Sequence, residues 1–255
     1  MKLLEAIQNL RLLDDMLMKK VFEDKACTQL MLRIIMDKPD LIVQELQTEY
    51  SVKNLQGRSA RLDVLAKDGK GVQYNVEVQR ADEGAIPKRA RYNSSLLDVN
   101  ISEPGDKYEA LPENYVIFIT ENDVLRLDKP IYHIERVCLE GGQLFNDGSH
   151  IIYVNAECQD STPLGLLMKD FACRRVNEMY YRELYDRVRF FKEEQEGVKI
   201  MCKLGEELLA EGRATGRAEN AYDTAKLMLE DGEPIEKIMR YTKLTLEQIE
   251  EIKKK

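Results

Sequence analysis

The 255-residue chain has little of what several common site chemistries need. It carries no tryptophan and only two histidines, His133 and His150, too few for a histidine-built metal centre. Its five cysteines (Cys27, Cys138, Cys158, Cys173, Cys202) are odd in number, scattered, and form no C-x-x-C pair. That pattern argues for free thiols in a reducing compartment and against a disulfide framework or zinc site. No apolar run approaches the roughly 20 residues that span a bilayer. The opening Met1-Lys2-Leu3-Leu4-Glu5 has neither the apolar core nor the small-residue cleavage site of a signal peptide. The chain therefore reads as cytoplasmic, with no membrane partner. Also missing are the G-x-x-x-x-G-K-[ST] phosphate loop, the G-x-G-x-x-G fingerprint and the G-x-S-x-G elbow. Gly212 and Gly216 have glycine spacing without a preceding strand, and read as a helix irregularity.

A net charge of −8 argues at face value against a nucleic-acid partner. Its distribution qualifies that. From Lys53 to Arg91 there are nine basic residues, including Arg58, Arg61, Arg80, Lys88, Arg89 and Arg91, against five acidic ones. This stretch permits DNA binding without demanding it.

Residues 14–38 have helical periodicity, with Leu17, Val21, Phe22, Leu30, Ile34 and Ile35 on one stripe and Lys38-Pro39 as the stop. Strands are predicted over 42–52, 60–67 and 72–79, the last two joined by a glycine-rich turn. In 72–79, Val72, Tyr74, Val76 and Val78 alternate with Gln73, Asn75, Glu77 and Gln79. A helix follows over 88–98, then strands at 114–120 and 150–155, then helical sequence from Leu164 to about Met201. The order implies an α/β layout, a mixed central sheet flanked by helices. From Lys192 onward the chain is charge-dense, and glycines at 197, 205, 212 and 216 predict a helix that bends, frays or needs a partner. Short helices are predicted at about 222–231 and 234–252, the latter divided by a capping box at Thr245–Gln248. Its acidic face (Glu247, Glu250, Glu251) suits packing or oligomerisation better than DNA docking.

The hairpin decides whether chemistry can occur. With the three-residue loop Gly69-Lys70-Gly71, Asp63 falls opposite Glu77, and cross-strand Cβ atoms stand about 4.5–5.5 Å apart. With a two-residue Asp68-Gly69 turn the two carboxylates lie on opposite faces. The sequence is compatible with both loops. Two carboxylates held together repel, so the first arrangement suits a hard divalent cation, Mg²⁺ or Mn²⁺. The plainer reading is that both are polar residues on a solvent-facing strand.

Arg61-Leu62-Asp63-Val64-Leu65-Ala66, the Gly71 turn and Tyr74-Asn75-Val76-Glu77-Val78-Gln79 resemble the strand signature of the PD-(D/E)XK nuclease family transposases, also called recombination-promoting nucleases. Arg89-Ala90-Arg91-Tyr92, the opening helix around Lys20-Val21-Phe22 and the helical tail are similar to that family too. The resemblance implies a restriction-endonuclease-like core over residues 1–190 and a charged helical extension over 191–255. It implies a Mg²⁺- or Mn²⁺-dependent DNA endonuclease linked to recombination or mobile elements. A catalytically weak or inactive DNA-binding or protein-interaction module on the same scaffold is the alternative. Asp63, Glu77 and the Val78 carbonyl become metal ligands, with Gln79 where the wider superfamily carries lysine. Arg61, Arg89 and Arg91 become phosphate contacts, and Glu23 an accessory acid. A homodimer fits an enzyme whose single site cuts one strand. Tyr92 reads as a packing residue.

Overall fold

A computed structural model describes residues 2–52, 60–102 and 105–253. Lys53 and Arg58 of the basic stretch lie outside these. The order is α1 (Lys2–Gln8), α2 (Asp15–Phe22), α3 (Lys25–Ile35), β1 (Val43–Val52), β2 (Ala60–Asp68), β3 (Gln73–Gln79), α4 (Pro87–Ile101) and β4 (Asn114–Thr120). Then come β5 (Ile131–Ile134), β6 (Ser149–Asn155), α5 (Pro163–Ala172), α6 (Arg182–Glu193), α7 (Gln195–Glu230), α8 (Ile235–Thr242) and α9 (Leu246–Lys253). Two compact units divide the chain at Met1–Met201 and Cys202–Lys255.

In the first unit six strands form one mixed sheet in the order β1-β2-β3-β4-β6-β5. β1, β2 and β3 run antiparallel as a meander, β4 and β6 continue parallel to β3, and β5 returns antiparallel along the edge. A parallel β3–β4 pair needs a crossover connection, which α4 supplies. It packs on β1, β2 and β4 over a core that includes Leu62, Ala90, Leu97, Val116, Phe118 and Tyr153. Tyr92 is partly buried against that cluster. α2 and α3 pack on β1, with α5 and α6 behind them and Phe22 stacked on Phe171 at 5.6 Å.

Several expectations need correction. The segment 14–38 is two helices, not one. Asp24 lies in extended backbone, and its side chain accepts from the Ala26 and Cys27 amides at 2.9 and 3.0 Å, which starts a new helix there. The break re-phases the apolar stripe. Cys27, Met31, Leu32 and Ile35 are buried, while Leu30 and Ile34 are half-buried. The helical stretch 164–201 is interrupted at Cys173–Tyr181, where α5 ends and α6 has not begun. β5 has too few residues to show a period and was not anticipated. The glycines after 197 do not break the helix, since α7 runs unbroken for 36 residues.

The second unit is small. Ala225 of α7 packs with Ile238, Ile249 and Ile252 of α8 and α9. The capping box forms as expected: the Gln248 amide donates to Thr245 Oγ1 at 3.3 Å, and Gln248 Oε1 accepts from the Thr245 amide at 2.9 Å.

Candidate active site

The hairpin uses the three-residue loop. The Asp68 amide donates to Val72 O and the Gly71 amide to Asp68 O, both at 3.1 Å. The Asp68 carboxylate seals the loop by accepting from the Lys70 and Val72 amides at 2.8 and 3.0 Å. Gly71 takes φ +87°, the left-handed region glycine tolerates. The β2–β3 ladder then runs from Lys67↔Gln73 to Val64↔Val76. One step further along this register sets Asp63 against Glu77. There the ladder gives way to side chains: the Val78 amide donates to Asp63 Oδ2 at 3.2 Å.

The polar face of β3 is not solvent-facing. Asn75 and Glu77 are both 0% exposed beneath α4. A buried carboxylate must be paired and hydrogen-bonded, and Glu77 is. Its Oε1 accepts from Asn75 Nδ2 at 3.0 Å and its Oε2 from Arg89 Nη2 at 2.7 Å. Asn75 is fixed in turn by Asn93 of α4 at 3.3 Å. Pro87 in the first turn of α4, where no amide partner is lost, sets Arg89 close above β3. Arg89 Nη1 also donates to Gly84 O at 2.9 Å and Gln79 Oε1 at 3.3 Å. Gln79 is wedged over Gly84, where an added Cβ would stand 2.0 Å from Gln79 Oε1.

Asp63 also faces α2 and β1. Glu49 falls between the pairs Thr48↔Val64 and Tyr50↔Leu62, in the slot opposite Asp63, yet that pair is skipped. Glu49 has φ +53°, rare for a residue with a side chain. Asp63 thus sits where the ladders on both sides of β2 are interrupted. Glu49 accepts from Lys19 of α2 at 3.0 Å and pairs with Arg61, while Lys19 also bonds Asp15 at 2.7 Å.

Burial dominates the titration of both acids. It pushes Asp63 up to about 6, with Asp15 adding to the rise and the Val78 amide, Lys19 and Arg89 opposing it. Glu77 is pushed up to about 7 by burial and then by the Asp63 charge, against the pull of Asn75 and Arg89. The Asp63 charge makes Glu77 harder to ionise, as expected of two carboxylates held close together.

The structure thus brings together Asp63, Glu77, Val78, Gln79 and Arg89. Arg61 is an exposed residue paired with Glu49, and Arg91 is exposed on α4. Glu23 ends α2 in an ion pair with Lys20 at 2.6 Å, and the helix-borne acid that bears on Asp63 is Asp15 instead. Asp15, Lys19 and Glu49 were missed. The four-residue spacing of Asp15 and Lys19 marks a shared helix face. No sequence signal connects that face to β1 and β2.

Against this geometry, the sequence model of the PD-(D/E)XK nuclease family transposases matches residues 12–163, which contain every one of these side chains. The chain belongs to that family. Comparison with curated proteins and with solved structures finds no match. For a PD-(D/E)XK family transposase, the mixed six-stranded sheet with flanking helices and the helical C-terminal region are the fitting architecture, and the family suggests a nuclease- or recombination-related role. Among the described residues no helix is long and apolar enough to cross a membrane.

The donor set suits the divalent metals that such nucleases generally use. Asp63 and Glu77 offer hard carboxylate oxygens whose ionisation burial disfavours, a cost that a divalent cation would relieve. Among the described residues no three Asp, Glu, His or Cys side chains stand together as a metal-holding group. Two carboxylates alone would leave most of a cation's coordination sphere to water, as Mg²⁺ prefers.

Proposed function

We propose that this PD-(D/E)XK family protein is a DNA endonuclease that hydrolyses phosphodiester bonds with Mg²⁺ or Mn²⁺ at Asp63 and Glu77. The observation that carries this is the three-residue hairpin loop, which sets the two acids side by side at the interrupted end of the β2–β3 ladder. The Val78 carbonyl is the proposed third ligand. When bound, the ion would supply Lewis acidity at the phosphate.

The chain's own residues have distinct work. Arg89 holds Glu77 in place and keeps it inclined to ionise. The Val78 amide does the same for Asp63. Gln79 has no charge to offer; its amide can hydrogen-bond a water or a phosphate oxygen. Arg89 is bonded to Glu77, Gln79 and Gly84 through three of its five donors, with Glu77 the shortest contact. We assign it to positioning. Arg91 and Lys88, exposed on the first turns of α4, are the proposed contacts for flanking DNA.

Nicking of supercoiled plasmid by the full chain tests this reading. We expect cleavage in Mg²⁺ or Mn²⁺, none in EDTA, and none from Asp63→Ala or Glu77→Ala. Removing a metal-holding group should lower the rate at least 100-fold. Intact plasmid with every metal, or cleavage surviving in both variants, would refute it.

A further inference from the structure

Two cations stand at this centre: Arg89 of α4, bonded to Glu77 at 2.7 Å, and Lys19 of α2, bonded at 3.0 Å to Glu49 in the slot opposite Asp63. They differ in what holds them. Arg89 spends three of its five N–H donors on Glu77, Gln79 and Gly84, and so is tied to a carboxylate of the site itself. Lys19 is held by Asp15 at 2.7 Å and Glu49 at 3.0 Å. An ammonium has three N–H donors, and among the described residues two acceptors engage this one. Its side chain is 17% exposed, and Glu49, which holds it, occupies the slot opposite Asp63.

The support for Lys19 is costly to the fold. Glu49 keeps a left-handed backbone inside a strand, at about 1–2 kcal/mol for a residue with a Cβ, and gives up its place in the ladder opposite Asp63. Its carboxylate thereby reaches Lys19 and Arg61. Non-glycine strain of this kind concentrates at functional sites. A fastening between α2 and β1 alone would need no such strain, and it would not have to stand beside Asp63.

We propose that Lys19 is a catalytic cation of this centre, presented by Asp15 and Glu49 so that its Nζ contacts a non-bridging oxygen of the scissile phosphate. The inference rests on the nuclease reading above. Phosphoryl transfer gathers negative charge on those oxygens, and its catalysis is mostly positioning and electrostatics. Gln79 supplies no charge there. A compact ammonium meets a phosphate oxygen as a point charge, and Asp15 and Glu49 would be positioning residues acting through it.

The test uses the full chain with Lys19→Met, and with Lys19→Gln, which keeps a hydrogen-bonding end for Asp15 and Glu49 without the charge. The readouts are kcat and KM for DNA cleavage in Mn²⁺, Mn²⁺ affinity by calorimetry, and Tm. We expect kcat to fall about 100-fold or more in both, the loss typical of one preorganised donor to transition-state charge. KM and Mn²⁺ affinity should stay within about threefold, and Lys19→Arg should recover part of the rate. If Lys19→Met does not fold, Lys19→Gln decides the matter by the same criteria. Cleavage within about threefold of the parent in a folded variant would overturn the Lys19 assignment and leave the nuclease reading intact. A loss of Mn²⁺ affinity matching the loss of kcat would overturn it too. A parent protein that binds Mn²⁺ but never cleaves would overturn both.

Discussion

Asp63 and Glu77 are acids that burial makes reluctant to ionise, and this ties metal binding to pH and to stability. Both titrate in the folded, metal-free protein above their unfolded values of roughly 3.9 and 4.3, at about 6 and about 7. Near pH 4 and below, both states carry the protons and the shift costs nothing. As pH rises toward 7 the folded state must ionise them against burial, so the apo protein loses stability across that window. Asp63→Asn removes one charge and relieves the other acid, and its amide oxygen still accepts from Val78. In EDTA we expect the Tm advantage of Asp63→Asn to grow between pH 5 and pH 8 and to shrink when Mg²⁺ is added. At about 2–4 °C per kcal/mol, a scanning fluorimeter resolves it. An advantage that does not change with pH would mean the pair is not the strained group. Arg89→Leu should cost about 1–3 kcal/mol in urea denaturation near pH 8, since it strands a buried charge. The cost should largely vanish in a Glu77→Gln background. Asp63, Glu77 and Gln79 were legible in the sequence because strand alternation and a family-like motif name them. Lys19 and Asp15 were not, because nothing local in α2 records which strand it faces.

Helix breaks and junctions follow local chemistry. The cap at Asp24 was readable as an N-cap type, yet the apolar stripe across it suggested one continuous helix. The glycines of α7 leave it unbroken, because each removes only about 0.8–1.0 kcal/mol, a cost spread over 36 residues here. They are not equivalent. A Cβ at Gly197 would stand 2.0 Å from Phe190 O, where α6 hands over to α7, whereas one at Gly212 meets nothing within 4 Å. Gly197→Ala should therefore destabilise the chain by about 1–3 kcal/mol through a forced backbone shift. Gly212→Ala, exposed in a helix interior, should stabilise by about 0.5–1 kcal/mol. Equilibrium denaturation of the two variants checks the contrast, and equal effects would show that α6 and α7 do not meet this closely. The hairpin is the element that matters most. The sequence left its loop length open, and the bonds of Asp68 resolve it.

Across the whole molecule, the α/β class and most of the strands were legible because each carries its own period. The β5 edge strand and the core of the second unit depend on partners distant in sequence. That second unit has its own small apolar cluster around Ile238 and Ile249. Ile249→Ala should cost about 2–4 kcal/mol locally, raising amide exchange in α8 and α9 while leaving Mn²⁺ affinity unchanged. The surplus of basic residues between 53 and 91 is smaller in effect than its sequence count. Among the described residues Arg61, Lys67, Arg80 and Arg89 are each ion-paired, which leaves the exposed Lys70, Lys88 and Arg91, the last two our proposed DNA contacts. The central claim is that Asp63 and Glu77 form a single cation-requiring centre. Calorimetric titration of Mn²⁺ into the full chain, Asp63→Asn and Glu77→Gln at pH 8 tests it most directly. We expect one saturable binding event in the parent and none in either folded variant. Undiminished binding in both variants would contradict the claim and place the metal elsewhere.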